Sequence, residues 1–467
     1  MSQIGIDGGR PDKRRSERKS SVALGNHSPW LAYKRALDSV IPTQRIDSID
    51  QGRWRERTDL ADCVPAILVF NLPGTPMHCS RQLLTATSLA VSALLSACGG
   101  SGSDTGTLRL ALTDAPACGF DTVFVTIEKV RVHKSGSANE GDDGWSEVAL
   151  TPAKKRVDLL SLTNGALAEL GQTLLPAGKY TQMRFVLAAN GAANPLANAV
   201  KPTGGVETAV STPSGSQSGL KMNIDIEVEA DKVADFALDF DACRSFVRLG
   251  QGGYVLKPVI AVIPRLSDAV TRVTGQVAPA LAVPTTSVSL QINGVPVRST
   301  PPDSTGKFVL YPVPVGSYDL VVTAPQRAMA VISGVPVTAT SSTTVNAVTA
   351  PIDPPGSAMR TASGSVATTT TPIAADVAVS KTLNGGAKVT YTQGPVNGTT
   401  GAFSYSVPIG APVRSAYVPA AASLAFAPDI TVTPGKYTLV GTAGATTKTV
   451  DIDLTSTDYV GGLWAFP

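Results

Sequence analysis

Two groups of acidic residues have types and spacing that could carry chemistry. Asp239 and Asp241 lie two residues apart on a predicted strand, so both carboxylates would lie on one face, as a carboxylate-dependent hydrolase of glycosides requires. An acidic loop offers oxygen ligands for calcium, at Glu140, Asp142 and Asp143. Its spacing is not that of an EF-hand, and such carboxylates are more often solvated surface charges. We therefore treat these five residues as candidates for ligand binding and not for catalysis.

Other catalytic and metal-binding motifs are absent from the sequence. There is no Gly-x-Ser-x-Gly nucleophile elbow, which is the commonest mark of a serine hydrolase. His133 is the only histidine after residue 98, and one imidazole at a strand end is more often hydrogen-bonded or exposed than a catalytic base. Without a Cys-x-x-Cys pair, a zinc site of cysteine and histidine ligands cannot be assembled there. The sequence predicts a protein that is not an enzyme and has no metal and no cofactor.

Cys98 has the setting for a covalent modification. One positive charge at Arg81 precedes an apolar run of about 13 residues that ends in Leu95-Ser96-Ala97-Cys98. The run is shorter than the roughly 20 residues that span a bilayer, and the order of charge, apolar run and small residues is that of a secretory signal peptide over residues 77–97.

These last four residues resemble the lipobox of bacterial lipoproteins. The resemblance implies that diacylglycerol is attached to the Cys98 thiol, that the chain is cut before this residue, and that its new amino group is acylated, for example with palmitate. Two or more acyl chains anchor a protein stably to a membrane. Gly99 follows the cysteine where Asp would favour inner-membrane retention, so the resemblance implies an outer-membrane protein of the cell envelope that faces the periplasm or the cell surface.

The segment before Met77 differs in composition from the rest. Residues 1–76 hold 12 of the 39 Lys and Arg and 9 of the 36 acidic residues, without a sustained apolar period. We expect this segment to be a disordered upstream extension from a mis-set start codon. A basic nucleic-acid arm is less favoured, and so is a twin-arginine signal at Arg14 and Arg15, because no apolar segment follows that pair closely. After the cut, 26 basic and 27 acidic residues remain, so net charge selects no nucleic acid or other polyanionic partner.

Two cysteines remain beyond the anchor, Cys118 and Cys243. An even pair in an exported protein predicts one disulfide. It would close a loop of roughly 125 residues and contribute about 4 to 5 kcal/mol in the chain-entropy model. Two free or metal-bound thiols are the alternative.

Strand patterns predict an all-β fold in three domains. A flexible tether of Gly and Ser at 98–106 leads to a first domain at 107–266. Apolar residues alternate with polar ones, as in a half-buried strand, at Met222, Ile224, Ile226 and Val228. The phase of the alternation changes at Glu128 and Lys129, which predicts a β-bulge. One short helix is predicted over Gly165 to Leu170, with Asn164 as its N-cap.

The first domain resembles the DUF4382 family of exported bacterial proteins. The resemblance is carried by several motifs, among them Leu112-Thr113-Asp114-Ala115-Pro116-Ala117-Cys118, Leu175-Pro176-Ala177-Gly178-Lys179-Tyr180, Phe240-Asp241-Ala242 and Leu256-Lys257-Pro258-Val259. The family is itself uncharacterised. The resemblance therefore implies export and a β-rich, sandwich-like fold, and supplies no catalytic residues.

The second domain, residues 273–350, resembles the carboxypeptidase regulatory-like, transthyretin-type β-sandwich. Asn293-Gly294 lies between two alternating apolar runs and predicts a two-residue hairpin turn. The third domain, residues 362–467, is a degenerate repeat of the second and predicts another transthyretin- or Ig-like sandwich. An insertion from Ala411 to Pro428 either loops out or adds an edge strand, and Pro351–Gly356 predicts a fairly stiff hinge.

Together these patterns predict a non-enzymatic, membrane-anchored lipoprotein of the bacterial cell envelope that acts as a structural or interaction module. Its partners would be the membrane, through the anchor at Cys98, and an envelope protein or glycan. A glycan- or envelope-ligand-binding lipoprotein is the alternative, and a carboxylate-dependent hydrolase is a second one. Clustering of Trp145, Trp464 and Tyr254 on an exposed patch would favour glycan binding by ring stacking, whereas their burial would favour the structural role.

Overall fold

A computed structural model describes residues 104–114, 119–213, 215–250, 252–267, 269–430 and 434–467. The chain divides into two units, Met1–Val69 and Phe70–Pro467, and the described residues all belong to the second. The predicted signal peptide at 77–97, the lipidation site Cys98 and the predicted disulfide partner Cys118 lie outside the described residues. No helix in the described part is long and apolar enough to cross a membrane.

The prediction of an all-β fold is confirmed, because strands make up most of the described chain and its only α-helix has four residues. In the first domain the strands are β1 (Thr105–Asp114), β2 (Phe120–His133), β3 (Ser146–Val148), β4 (Lys155–Asp158), β5 (Ala168–Pro176), β6 (Gly178–Leu187), β7 (Ala199–Pro202), β8 (Thr208–Ser211), β9 (Leu220–Val228), β10 (Val233–Phe240), β11 (Phe246–Arg248), β12 (Tyr254–Leu256) and β13 (Ile260–Pro264). The helix α1 (Ala242–Ser245) joins β10 to β11, and a 3₁₀ turn spans Leu159–Leu162.

These strands form a four-stranded sheet in the order β13-β10-β1-β5 and a nine-stranded sheet in the order β11-β12-β8-β7-β2-β6-β9, with β3 and β4 also paired to β2. One cluster of buried side chains from both sheets makes the core. In β9 the four alternating residues from Met222 to Val228 are buried, as predicted. The register of β2 against β6 shifts between Ile127 and Lys129, which confirms the predicted bulge.

The predicted helix over Gly165 to Leu170 is wrong. Asn164 and Gly165 both have positive φ, at 56° and 81°, and the chain enters strand β5 at Ala168. An Asn-Gly pair serves a turn as readily as a helix start. Here the Asn164 side chain is used by the second domain: its Oδ1 accepts a hydrogen bond from the Val309 N–H at 2.6 Å. That distant partner selects the turn.

The second domain contains β14 (Val273–Gln276), β15 (Ser287–Ile292), β16 (Val295–Thr300), β17 (Lys307–Leu310), β18 (Gly316–Thr323), β19 (Ala330–Val337) and β20 (Thr343–Thr344). A 3₁₀ turn spans Pro279–Leu281. The strands form a three-stranded sheet in the order β17-β14-β20 and part of a six-stranded sheet that begins β16-β15-β18-β19. The predicted hairpin joins β15 and β16, with φ of 50° at Asn293 and 77° at Gly294.

The third domain contains β21 (Met359–Ala367), β22 (Ala375–Thr382), β23 (Lys388–Pro395), β24 (Ala402–Pro408), β25 (Val413–Ala416), β26 (Ala427–Pro428), β27 (Lys436–Ala443), β28 (Thr446–Asp453) and β29 (Tyr459–Ala465). Its own sheets have the orders β24-β21-β29 and β23-β22-β27-β28. A separate cluster of buried side chains lies between them.

The second and third domains use corresponding glycines in the same way. Gly275 pairs with Phe308 and Gly364 pairs with Phe403, each glycine lying under the ring of its partner. Gly401, with φ of 68°, lies against the Val366 carbonyl. The corresponding glycine of the second domain, Gly306, lies against the Val277 carbonyl. The shared close approaches give a physical reason for the repeated sequence pattern.

The insertion adds an edge strand, but to the neighbouring domain. Strand β25 pairs in parallel with β19 of the second domain, and β26 pairs with β25. The segment predicted to be a hinge is also held by the second domain. Ile352 is 2% exposed in its core, and the Ile352 N–H donates to the Gln276 carbonyl at 2.8 Å. These contacts fix Ile352 to the second domain, and the stiff hinge at Pro351–Gly356 stays a prediction.

Gly401→Ala tests the close approach in the repeat. A Cβ at residue 401 would lie 1.7 Å from the Val366 carbonyl oxygen, so strand displacement adds about 1 to 3 kcal/mol to the cost of about 1 to 2 kcal/mol for a left-handed alanine. Gly444→Ala is the matched control, because its φ is 58° and nothing lies within 4 Å of the added atom. Equilibrium denaturation should show a larger loss of unfolding free energy for Gly401→Ala than for Gly444→Ala. Equal losses for the two variants would contradict the assigned contact.

Candidate functional site: the three-domain cavity

A cavity of about 600 Å³ lies where the three domains meet. The first domain contributes residues between 239 and 244, the second contributes residues from 284–299 and 323–326, and the third contributes Met359 and residues from 390–393 and 404–406. We call it the three-domain cavity. Its position at a junction is typical of small-molecule sites.

Arg298 joins the first two domains beneath this cavity. Its side chain lies on β16, is 0% exposed, and forms an ion pair with Asp239 of β10, whose side chain is 9% exposed. The guanidinium also donates from Nη2 to Thr113 Oγ1 at 2.6 Å and to the Tyr311 carbonyl at 3.2 Å. A planar guanidinium remains charged and presents several donors in fixed directions. It can therefore hold a carboxylate, a hydroxyl and a carbonyl from two domains at once.

Two further carboxyl groups, Asp114 and Asp241, lie close enough to this ion pair for their charges to interact with it. Burial raises the pKa of Asp114 well above its usual range, and the negative charges of Asp239 and Asp241 raise it further. The hydrogen bond from the Ala242 N–H lowers this pKa but does not offset the burial. Asp114 Oδ1 accepts that bond at 3.0 Å, while Oδ2 has no hydrogen-bond partner among the residues that the structure describes. Burial also raises the pKa of Asp241 to about 6, although the Arg244 guanidinium opposes the shift.

The third domain is bonded to both of the others at the cavity wall. Arg244 Nε lies 3.4 Å from Asp376 Oδ1, which joins α1 to β22. The Gln291 side chain of the second domain bonds the Thr390 backbone in both directions: Nε2 donates to the carbonyl at 2.8 Å and Oε1 accepts from the N–H at 2.7 Å. The Gln291–Thr390 bonds are buried, which makes them costly to break singly, whereas the Arg244–Asp376 contact is partly exposed.

Of the predicted candidates, Asp239 and Asp241 do lie together, because both line the three-domain cavity. Their roles differ: Asp239 is held by Arg298, and Asp241 caps α1 by accepting from the Arg244 N–H at 3.1 Å. The sequence analysis missed Arg298, Gln291 and Thr390. The alternation of strand β15 places Gln291 opposite its apolar residues, and alternation alone does not show that another domain covers that face.

The acidic loop lies apart from this cavity. Glu140, Asp142 and Asp143 are all exposed. Asp142 Oδ2 accepts from the Asn139 N–H at 2.8 Å, and the Asp143 carbonyl accepts from His133 Nε2 at 2.9 Å if the Ser135 N–H, 2.8 Å away, occupies Nδ1. Within the described ranges no group of three His, Cys, Asp or Glu residues is placed to hold a metal ion. The loop contacts therefore account for its own conformation.

Cys243 lies on α1 and is disulfide-bonded. Its predicted partner, Cys118, lies outside the described residues, so the pairing stays a prediction. The preceding residue supports it, because the Ala242 N–H donates to Asp114 Oδ1 at 3.0 Å. This bond brings α1 to the end of β1, four residues before Cys118.

The three aromatic residues that could have formed a stacking platform are separated. Tyr254 is 8% exposed in the core of the first domain, and Trp464 is 9% exposed in the core of the third. Trp145 is half-buried, with the Arg131 and Arg184 guanidinium groups 4.9 and 5.1 Å from its ring centroid. Their separation and burial do not support a shared exposed patch.

Arg298→Met tests the buried ion pair. The variant leaves the Asp239 carboxylate buried without its cation, and breaking such a pair costs about 3 to 5 kcal/mol of unfolding free energy. Arg327→Met is the matched control, since Arg327 pairs with Asp353 at 2.9 Å and both side chains are partly exposed, at 27% and 52%. Removing that surface pair should cost less than about 1 kcal/mol. Similar losses for the two variants, measured by chemical denaturation, would contradict the assigned role.

Asp241→Asn tests the raised pKa of that carboxyl. A folded-state pKa of about 6 lies above the ordinary value near 4, so the folded protein binds more protons between these values. The stabilising contribution is complete below about pH 4 and is lost as the pH rises through 6. Asparagine can keep the helix cap without titrating. The wild-type chain should therefore lose stability relative to Asp241→Asn from pH 4 to 7, and a constant difference would refute the shift.

Comparison with known proteins identifies part of the chain. No curated protein matches it. One similar solved structure is a type II cohesin–X-dockerin complex from Acetivibrio cellulolyticus, with 24% identity over 18% of this chain and 55% of that chain. The TIE protein of Bacillus anthracis is 12% identical over 78% of this chain and 50% of its own, and the major pilin SpaA of Corynebacterium diphtheriae is 12% identical over 77% of this chain and 99% of its own. Each has a TM-score of 0.15. This chain spans about half the length of the first two, and TM-scores this low support no shared fold.

A family match covers the first domain. Residues 105–258 match the family described as "Domain of unknown function (DUF4382)". The match includes Thr113, Asp114, Asp239 and Asp241, the first-domain groups around the buried ion pair. Residues 105–258 are therefore a DUF4382 domain.

Proposed function

We propose that this chain is a non-enzymatic lipoprotein of the bacterial cell envelope, in which three β domains form one structural or interaction module on a lipid anchor at Cys98. The observation that carries the proposal is the set of buried polar contacts between domains. Arg298 reaches Asp239, and Gln291 bonds Thr390 twice. With the domains packed together, a shift of either partner would leave the other group buried and unsatisfied, so the contacts fit one arrangement of the packed domains.

A strand that crosses from one domain to the sheet of another supports the same role. Strand β25 of the third domain extends the six-stranded sheet of the second. Beside it, apolar side chains of both domains form a buried cluster that contains Val321, Met329, Val331, Leu383 and Val389. A module that presents a surface to a partner benefits from such rigidity, because less ordering entropy is lost on binding. We assign the second and third domains to the transthyretin-type, carboxypeptidase regulatory-like sandwiches that their sequences resemble.

The length of the tether limits where this module would lie. Strand β1 begins at Thr105, seven residues after Cys98. A fully extended chain spans at most about 3.6 Å per residue, so β1 would begin within about 25 Å of the anchored cysteine. The first domain would then lie near the membrane surface, which we place at the outer membrane on the basis of Gly99.

The alternative of a carboxylate-dependent hydrolase has less support. Such an enzyme needs two carboxyl groups free to act on opposite sides of the scissile bond. Asp239 is instead paired with Arg298 in a buried position. We therefore propose that the chain has no catalytic activity of this kind.

The first experiment is intact mass measurement of the membrane-extracted product after expression in a Gram-negative host. We expect a chain that begins at acylated Cys98 and gains about 2 Da on reduction, as the hydrogens of one opened disulfide require. Cys98→Ala is the control and should abolish acylation and membrane extraction. A soluble wild-type product that retains residues 1–76 would contradict the proposal, and a product with no mass gain would contradict the disulfide between Cys118 and Cys243.

A further inference from the structure

The three-domain cavity has the size of a ligand site. Its volume of about 600 Å³ lies within the range of about 300 to 1,000 Å³ that small-molecule pockets occupy. No single domain encloses it, since β10 and α1, β15 and β16, and β23 and β24 each contribute lining residues. Bonds on its walls hold those elements in place independently of any ligand.

Charge among the lining residues is balanced. Two carboxylates and two guanidinium groups of the described residues line the cavity: Asp239, Asp241, Arg244 and Arg298. Arg298 pairs with Asp239, and Arg244 pairs with Asp376 beside the cavity. The fourth group, Asp241, already accepts a backbone hydrogen bond. An ionic ligand would therefore have to compete with existing pairs, whereas a neutral ligand would not.

The remaining polar lining consists of hydroxyl and amide groups. On β24, Ser404 and Ser406 are exposed while Phe403 and Val407 are buried, so the two serines share the face that lines the cavity. Other uncharged polar side chains in the lining include Ser287, Ser299, Thr323, Thr392 and Gln393, whereas Gln291 is already bonded to Thr390. Such groups both donate and accept hydrogen bonds, as alcohols of a ligand do.

Two aromatic residues complete the lining, Tyr391 and Tyr405. The Tyr405 hydroxyl donates to the Val377 and Gly394 carbonyls at 2.9 and 3.2 Å, which fixes its ring. Both side chains are half-buried and pack against the core of the third domain. Alternation along β24 places Tyr405 on the side of Phe403 and Val407, opposite the two serines.

We propose that the three-domain cavity binds a neutral, hydroxyl-rich molecule of the size of a mono- or disaccharide. The size, the balanced charge, and the hydroxyl and amide lining all fit this class. The site differs from the aromatic platform considered from sequence, because neither Trp145, Trp464 nor Tyr254 lines it. It goes beyond the proposed envelope role, which would stand if the cavity bound nothing.

The test uses the extracted full-length chain and three neutral probes, cellobiose, maltose and N,N′-diacetylchitobiose, followed by ligand-observed NMR at up to about 10 mM. We expect at least one probe to bind. Ser404→Trp and, separately, Ser406→Trp should lower its affinity at least about tenfold by filling the cavity. Ser456→Trp is the control, because Ser456 is an exposed serine of the same domain outside the lining, and it should bind like the wild type.

Three results would overturn the proposal. The first is no binding of any neutral probe, and the second is unchanged binding by a folded Ser404→Trp or Ser406→Trp chain. The third is equal binding of the anion cellobionate, which would contradict the argument from balanced charge. Hydrogen exchange of wild-type peptides covering β24 provides a readout that needs no variant, and saturating probe should slow it. Unchanged exchange of β24 in the presence of a bound probe would place the site elsewhere.

Discussion

The buried guanidinium of Arg298 is the constraint on which the arrangement of the first two domains depends. A charge at 0% exposure is tolerated only with a counter-charge and further hydrogen bonds in correct geometry. Asp239, Thr113 and the Tyr311 carbonyl meet that need, and they come from both domains. The interface can therefore open only by exposing or stranding a charge. A buried ion pair is weak evidence for net stability, but it specifies one arrangement among alternatives that hydrophobic contact alone would permit.

The third domain is held by different means. Reciprocal bonds between Gln291 and the Thr390 backbone fix one strand against another, and β25 continues a sheet that begins in the second domain. The two sandwiches thus share a sheet and a side-chain cluster as well as a repeated sequence. These contacts position the three-domain cavity, because each domain contributes part of its wall at the junction.

Local sequence patterns predicted the features that depend on neighbours in the chain. The alternation in β9, the bulge in β2 and the Asn293-Gly294 turn all arise from strand periodicity or from backbone conformations that glycine allows. The pattern at Asn164 failed, because Thr300 and Val309 of another domain decide its conformation. Arg298 could not be found for the same reason. Its partner Asp239 lies 59 residues away in sequence, and alternation marks a face without saying whether solvent or another domain covers it.

The central claim is that the three domains form one cooperative unit. Hydrogen exchange followed by mass spectrometry across a denaturant series tests it most directly, with peptides that cover β10, β16 and β22. If the buried interdomain contacts couple the domains, the three peptides will open at one denaturant midpoint with the same free energy of opening. Separate midpoints, with the third domain opening while β10 and β16 stay protected, would contradict the account.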